Sequence, residues 1–144
     1  MKKLSVLTLI SVLFLSSCVN KPKENSTEEK PIFADNSKTS IDWSGTYKGV
    51  LPCADCEGIE TIIKLNEDYS YSKTIKYLSK DKTFKISKGN FSWDDSGNLI
   101  YLEEDNPNAY RVGENQLFAL DMNDKRITGD LQDHYILKKL NEED

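Results

Sequence analysis

The sequence has few of the residues that catalysis requires. It contains one histidine in 144 residues, and it has neither a Gly-x-Ser-x-Gly motif nor a glycine-rich phosphate loop. A lone histidine leaves few designs for general acid and base catalysis. We therefore predict that the protein is not an enzyme. Histidine-rich and methionine-rich copper tracts are absent as well, and so is an Asp-x-Asp-x-Asp-Gly calcium loop.

The sequence also lacks an excess of positive charge. Its formal net charge is −5, and removal of Lys2 and Lys3 with the amino-terminal segment discussed next would lower it to −7. A negative charge of this size disfavours nucleic acid and gives no general electrostatic attraction to anionic lipid. We therefore predict that nucleic acid is not a partner.

No hydrophobic run after residue 17 approaches the ~20 residues of a membrane-spanning helix. The first 17 residues do contain an apolar stretch, Leu4 to Leu15, which follows two lysines and precedes two serines and Cys18. This is the layout of a secretory signal peptide, and its apolar part is too short to span a bilayer comfortably. We predict a signal peptide over residues 1–17.

The segment Leu15-Ser16-Ser17-Cys18 resembles the bacterial lipobox. The resemblance implies cleavage before Cys18 and acylation of its sulfur and its new amino group. Two or more acyl chains hold a protein stably on a membrane, whereas one holds it only marginally. We therefore expect Cys18 to be a lipid anchor. The next residue is Val19 rather than aspartate, which in enterobacteria favours the outer membrane.

Residues 18–40 have the composition of a tether. They are rich in Lys, Glu, Asn, Ser and Thr and contain few apolar side chains, so they cannot bury enough surface to offset the entropy of ordering. As a coil they would reach a few tens of ångströms, at roughly 5–6 Å times the square root of their length. We assign residues 41–144 to one folded domain.

The folded part alternates apolar and polar residues and has turn residues at short intervals. The pattern predicts about seven or eight short strands and no helix longer than about ten residues. We expect an all-β barrel or sandwich, joined as a meander of hairpins. The strands begin near Trp43, Ile59, Tyr69, Phe84, Ile100, Tyr110, Leu117 and His134.

The fourth strand contains a change of phase. Phe84 and Ile86 fall on one face, while Phe91 and Trp93 fall on the other. Gly89 lies between the two pairs, and a glycine inside a strand often marks a bulge. We predict a bulge at Gly89 that restores the phase.

The loop between the first two strands contains Cys53-Ala54-Asp55-Cys56. A thioredoxin-like redox centre would need a helix after the first cysteine, and an alternating β pattern follows instead. Copper(I) accepts two thiolates, so Cys53 and Cys56 could bind it, with Met122 and His134 as the other candidate ligands. A disulfide is the third possibility, and it is the default for paired cysteines outside the cytosol.

The segment from Gly49 to Thr61, which includes Pro52-Cys53-Ala54-Asp55-Cys56-Glu57-Gly58, resembles the signature of the NlpE family. Trp43, Gly45 and Tyr47 ahead of it fit the same family, as do Gly89 to Trp93, Ile127-Thr128-Gly129 and Tyr135-Ile136-Leu137. The likeness covers about residues 41–140. NlpE proteins are outer-membrane lipoproteins named for copper resistance and envelope-stress signalling.

The resemblance implies a small, lipocalin-like, up-and-down antiparallel β-barrel. It implies a disulfide between Cys53 and Cys56, and contact with a sensor kinase of the inner membrane. The best-known members carry a second, OB-like domain with its own cysteine pair, whereas this sequence ends after the first domain. The resemblance therefore does not extend to functions that need the second domain, surface sensing above all. The alternative function is binding of copper(I) or of a small hydrophobic ligand inside the barrel.

Overall fold

The structure, a computed structural model, describes residues 35–78, 84–104 and 109–141. The predicted signal peptide, Cys18 and most of the predicted tether lie outside these residues. The described chain forms one short helix, eight strands and one 3-10 turn. They are α1 (Ser37–Ser40), β1 (Gly45–Leu51), β2 (Gly58–Leu65), β3 (Ser70–Leu78), β4 (Phe84–Trp93), β5 (Leu99–Leu102), β6 (Ala109–Gly113), β7 (Gln116–Ala119), the 3-10 turn Gln132–Tyr135 and β8 (Ile136–Lys139).

The strands close into an antiparallel barrel in sequence order, with β8 returning to pair with β1. The prediction of an up-and-down barrel of seven or eight strands is therefore confirmed. Tight turns join β2 to β3, β4 to β5 and β6 to β7, and we call the end that carries them the turn end. The β1–β2 loop and the 120–135 segment lie at the opposite end, which we call the loop end. Among the described residues, no helix is long and apolar enough to cross a bilayer.

Alternate residues of each strand point into the barrel and fill it. Tyr47, Ile63, Ile100, Leu117 and Leu137 have no exposed surface, and they pack in one cluster with other buried side chains. An eight-stranded barrel is just wide enough for side chains to fill. The described interior around these five residues is therefore filled by packed side chains, which favours a filled core over a ligand cavity.

Aromatic side chains pack together at the turn end. Trp43 has ring contacts with Tyr69, Phe91 and Trp93 at centroid distances of 5.9, 5.7 and 5.6 Å. The Trp43 indole N–H also donates to the carbonyl of Lys38 at 3.2 Å. These contacts hold the chain entering β1 against the barrel.

Helix α1 is a feature that the sequence pattern did not predict, since it falls in residues assigned to the tether. The Asn36 side chain accepts a hydrogen bond from the Thr39 amide at 3.1 Å and so caps its amino terminus. The helix is fixed to the barrel because the Lys38 amide donates to Gly97 O at 2.9 Å and Ser37 Oγ donates to Val112 O at 2.7 Å. Residues 36–40 are therefore packed as part of the barrel domain.

The predicted bulge at Gly89 is wrong. The β3–β4 register runs without interruption from Ser70 opposite Asn90 to Lys76 opposite Phe84. Phe84 and Ile86 are therefore on the outer face, where they are 58% and 64% exposed. The glycine instead makes room for a neighbour, since a Cβ at position 89 would lie 3.1 Å from the Tyr71 ring.

Candidate functional site

The cysteine loop connects β1 to β2 at the loop end of the barrel. Cys53 and Cys56 form a disulfide, with an S–S distance of 2.04 Å and a Cα–Cα distance of 5.3 Å. The disulfide implied by the family resemblance is therefore present. A β-strand rather than a helix follows the loop, as expected, so the geometry is not that of a thioredoxin-like centre.

The loop leaves β1 and re-enters β2 through a close approach of the two strands. A Cβ placed on Gly58 would lie 2.5 Å from Cγ1 of Val50, and the glycine has a φ of +155°. A side chain at position 58 would therefore collide with the facing strand. The disulfide ring and Gly58 together fix where the loop begins and ends.

Polar atoms surround the two sulfurs. Asp55 Oδ1 lies 3.5 Å from Cys53 Sγ, and Gly58 O lies 3.3 Å from Cys56 Sγ. Disulfide sulfurs carry no proton, so these contacts become hydrogen bonds only in the reduced loop. Cys53 and Cys56 are half-buried, while Asp55 is exposed. A partner at the loop end could therefore touch both the disulfide and a carboxylate.

A potential metal-ligand set lies in the same loop. The Cys53, Asp55 and Cys56 ligand atoms lie within 4.8 Å of one another. The structure does not bring His134 into this set; that residue is exposed in the 3-10 turn. Met122 is 97% exposed. Of the soft or borderline candidates that the sequence offered, the structure places Cys53 and Cys56 together.

A charged pair inside the barrel is the feature that sequence reasoning missed. Lys73 is only 9% exposed, and its Nζ lies 3.5 Å from Glu104 Oε2. Ser87 Oγ donates to Glu104 Oε1 at 3.0 Å, and the Tyr71 hydroxyl lies 3.3 Å from the same oxygen. The alternation of residues along β3 does indicate an inward Lys73, because this residue lies between Tyr71 and Ile75 on the inward face of the strand.

Burial shifts the pKa values of the groups in this interior. It lowers the pKa of Lys73, and the nearby Glu104 carboxylate partly opposes that shift. It raises the pKa of the Tyr110 hydroxyl, and Glu104 adds to that effect. The interior around Lys73 and Tyr110 therefore disfavours charge that is not paired.

The turn end has a concave surface of a different kind. A groove of about 910 Å³ is lined mainly by polar residues. Lys139 Nζ lies there and bonds to Asp42 Oδ2 at 2.8 Å and to Asp42 O at 2.9 Å. This ion pair links the segment before β1 to the last strand, so a structural role accounts for it.

Comparison with known proteins gives the chain its relatives. A family model described as the NlpE N-terminal domain matches residues 47–130. Lipoprotein NlpE of Escherichia coli K12 is 34% identical over 74 residues, a match that covers 51% of this chain and 29% of that protein. The chain therefore aligns with less than a third of the length of this curated relative.

Two solved structures share the fold. A Shewanella oneidensis protein described as a lipoprotein is 48% identical with a TM-score of 0.69, and the match covers 74% of this chain and 96% of that one. The Escherichia coli Cpx pathway activator NlpE is 29% identical with a TM-score of 0.50, over 60% of this chain and 46% of that one.

Proposed function

Because the chain belongs to the NlpE family of envelope lipoproteins, we propose that it reports envelope stress by contacting a protein partner and catalyses no reaction. The partner we propose is a sensor kinase of the inner membrane. Support comes from the match to a relative described as an activator of the Cpx pathway. Copper resistance, the other property that the family resemblance implies, belongs to the same proposal.

The proposal includes the anchor. Cys18 would carry the lipid, and Val19 after it would favour the outer membrane. The lipid would keep the barrel beside a membrane, while the tether would let it reach a partner. The sequence of the first 20 residues supports this part, because the lipobox and the signal layout occur together.

The observation that carries the proposal is the oxidised cysteine loop on a packed barrel. A ring of four residues constrains the unfolded chain little, and the loop-entropy relation gives only about 2 kcal/mol of stabilisation. Its effect on the shape of the loop is the larger consequence. A partner would therefore meet a pre-ordered surface at the loop end, which lowers the entropy lost on binding.

A localisation experiment tests this function. Escherichia coli lacking its own NlpE would express the full chain together with a Cpx reporter. We expect Val19→Asp, which favours retention in the inner membrane, to raise the reporter above the level given by the unchanged chain. Cys18→Ser, which removes the acylation site, should abolish that rise, and immunoblots would confirm equal amounts of protein.

The outcome depends on the loop as well as the anchor. Cys53→Ser with Cys56→Ser, combined with Val19→Asp, should give a weaker reporter response than Val19→Asp alone. If Val19→Asp gave no rise at matched protein levels, the signalling function would be rejected. A rise that persisted with Cys18→Ser would reject the role of the anchor.

Binding of copper(I) is the second candidate, and the grouping of two sulfurs with Asp55 favours it. It requires reduction of the disulfide, because the thiolate is the form that binds metal. The chain from residue 19 onward, reduced and titrated with copper(I) against a chelator, should compete for one ion. Cys53→Ser should abolish competition, whereas Met122→Leu should leave it unchanged. Failure of the reduced chain to compete would exclude this function.

Binding of a small hydrophobic ligand has less support. The inward side chains at the level of Tyr47 and Leu117 leave no exposed apolar surface around them. A ligand there would have to displace packed side chains, and the cost of disturbing a close-packed core is high. We therefore place copper(I) ahead of a hydrophobic ligand as the alternative function.

A further inference from the structure

We propose that the outer face of β8 and β1–β4 is a docking surface for an anionic phospholipid bilayer. We call this surface the lysine face. It comprises the outward residues of five neighbouring strands. Its charged members are Lys48, Lys64, Lys76, Lys88, Lys138 and Glu60.

The register brings these lysines together from separate parts of the sequence. Closure of the barrel places Lys138 directly opposite Lys48. Further along, Lys64 pairs with Ser72, and Ser72 pairs with Lys88. Their neighbours Tyr47, Ile63 and Leu137 are fully buried, so the alternation of the strands turns the lysines outward.

Most of this positive charge is not neutralised within the protein. Glu60 is the one carboxylate on the face, and it pairs with Lys48 at 3.1 Å. Within the described ranges, the ion pairs leave Lys64, Lys76, Lys88 and Lys138 without a carboxylate partner. Four like charges on one sheet repel one another, and an anionic surface would relieve that repulsion.

Apolar side chains stand among the lysines. Phe84, Ile86 and Val50 are 58%, 64% and 44% exposed on the same face. Lys76 Nζ lies 5.5 Å from the centre of the Phe84 ring. Surfaces that lie on a membrane combine cationic groups for the lipid headgroups with apolar groups that enter the boundary with the acyl chains. The lysine face has both components.

The rest of the barrel has the opposite charge. Outside the lysine face, the described residues include seven basic and fifteen acidic side chains. These acidic side chains lie outside the strands, in the turns, loops and flanking segments. An anionic surface would therefore attract the lysine face and repel the acidic turns and loops, which defines an orientation. A polybasic surface beside an anionic bilayer gains about 1 kcal/mol per lysine, or roughly five-fold in affinity.

The inference rests on the proposed function only in supplying a nearby membrane, because the proposed lipid on Cys18 would hold the barrel there. The lysine face is part of the barrel, so its affinity for an anionic bilayer does not depend on the acyl chains. This affinity can therefore be measured without the lipid, on the chain from residue 19 onward, which retains every described residue.

Vesicle sedimentation tests the proposal. The chain from residue 19 onward should sediment with vesicles of phosphatidylglycerol mixed with phosphatidylcholine, and added salt should release it. It should not sediment with pure phosphatidylcholine. The variant Lys76→Gln with Lys88→Gln should bind about 25-fold more weakly, since each lysine contributes roughly five-fold. Circular dichroism would confirm that the variants remain folded.

The matched control removes two positive charges from outside the lysine face. Arg111 and Lys125 are both exposed and lie outside the lysine face, so Arg111→Gln with Lys125→Gln should change vesicle affinity by less than two-fold. A further variant, Phe84→Ser with Ile86→Ser, keeps the charge and should still weaken binding. Its exposed side chains can be replaced without opening the core.

Three results would overturn the proposal. One is the absence of binding to anionic vesicles, and another is an equal loss of affinity in the control variant. The third is binding to a soluble polyanion such as heparin at the same affinity, with no effect of Phe84→Ser and Ile86→Ser; that result would indicate a charged macromolecule instead of a bilayer. The Cpx reporter plays no part in this assay, so failure of the proposed signalling function would leave its outcome unchanged.

Discussion

Removal of the charge of Glu104 should destabilise the protein more than removal of the charge of Lys73. The Lys73 side chain is 10% exposed and that of Glu104 is 18% exposed, with 3.5 Å between Nζ and Oε2. Leaving one charge of a buried pair without its partner costs about 3–5 kcal/mol, whereas replacing both charges is often close to neutral. The partial exposure of Glu104 places the expected cost of Glu104→Gln near the lower limit, at about 3 kcal/mol.

The opposite single substitution should cost less. In Lys73→Met the carboxylate of Glu104 keeps the hydroxyl donors Ser87 and Tyr71, and solvent reaches part of it. We expect a loss of about 1 kcal/mol or less. The double variant, Lys73→Met with Glu104→Gln, should be more stable than Glu104→Gln alone, because it no longer buries an ammonium group without a carboxylate partner. Urea unfolding at neutral pH, followed by circular dichroism, would give the three free energies.

The pH dependence supplies a second readout. The folded pKa of Lys73 is already lowered, so between that pKa and 10.5 the unfolded chain binds more protons and stability rises with pH. Without Glu104 the pKa should fall further. Glu104→Gln should therefore regain stability between pH 7 and 9.5, and Lys73→Met should not. Equal losses for the two single variants, or a flat profile for Glu104→Gln, would refute the reasoning.

Two further predictions concern the core and the cysteine loop. Burial raises the pKa of the Tyr47 hydroxyl from 10.0 to about 12. The unfolded chain therefore loses this proton at a lower pH than the folded protein does. As a result, the free energy of unfolding should fall as the pH rises beyond 10, by about 1.4 kcal/mol at pH 11. At pH 8 the free energy of unfolding of Tyr47→Phe should be about 1 kcal/mol lower than that of the wild type, because the variant lacks the 2.7 Å hydrogen bond from the Tyr47 hydroxyl to Trp43 O. Between pH 8 and pH 11, urea unfolding should show a smaller fall in stability for the variant than for the wild type. Gly58→Ala should lower the melting temperature, and Val50→Ala should reduce that loss in the double variant, because a Cβ at position 58 would lie 2.5 Å from Cγ1 of Val50; the same loss with and without Val50→Ala would contradict the steric argument.

The strand pattern could be predicted from the sequence because it depends on local alternation. Thr61, Ile63 and Leu65 share the inward face of β2 as expected, and all three are buried. The same rule applied at Lys73 would have placed a lysine in the interior. Local alternation does not predict the buried pair, because lysine rarely enters a core without a partner and Glu104 lies 31 positions away along the chain.

The prediction failed where apolar residues were assumed to point inward. Phe84 and Ile86 are apolar but outward, so the change of phase at Gly89 indicated a change of face and not a bulge. Helix α1 was missed for a similar reason. Its four residues have no apolar period, and it is held by contacts with Gly97 and Val112 that only the folded barrel provides.

The net charge of the sequence does not reveal how the charges are distributed over the surface of the barrel. A net charge of −5 argues against attraction to anionic lipid when the charges are taken together. The barrel separates them, because alternation selects every second residue of each strand and closure brings β8 beside β1. Lys48 and Lys138 are 90 positions apart, yet they face each other. Lipid headgroups interact with charges within about a Debye length, roughly 8–10 Å, so the local face and not the total decides which side of the barrel a membrane attracts.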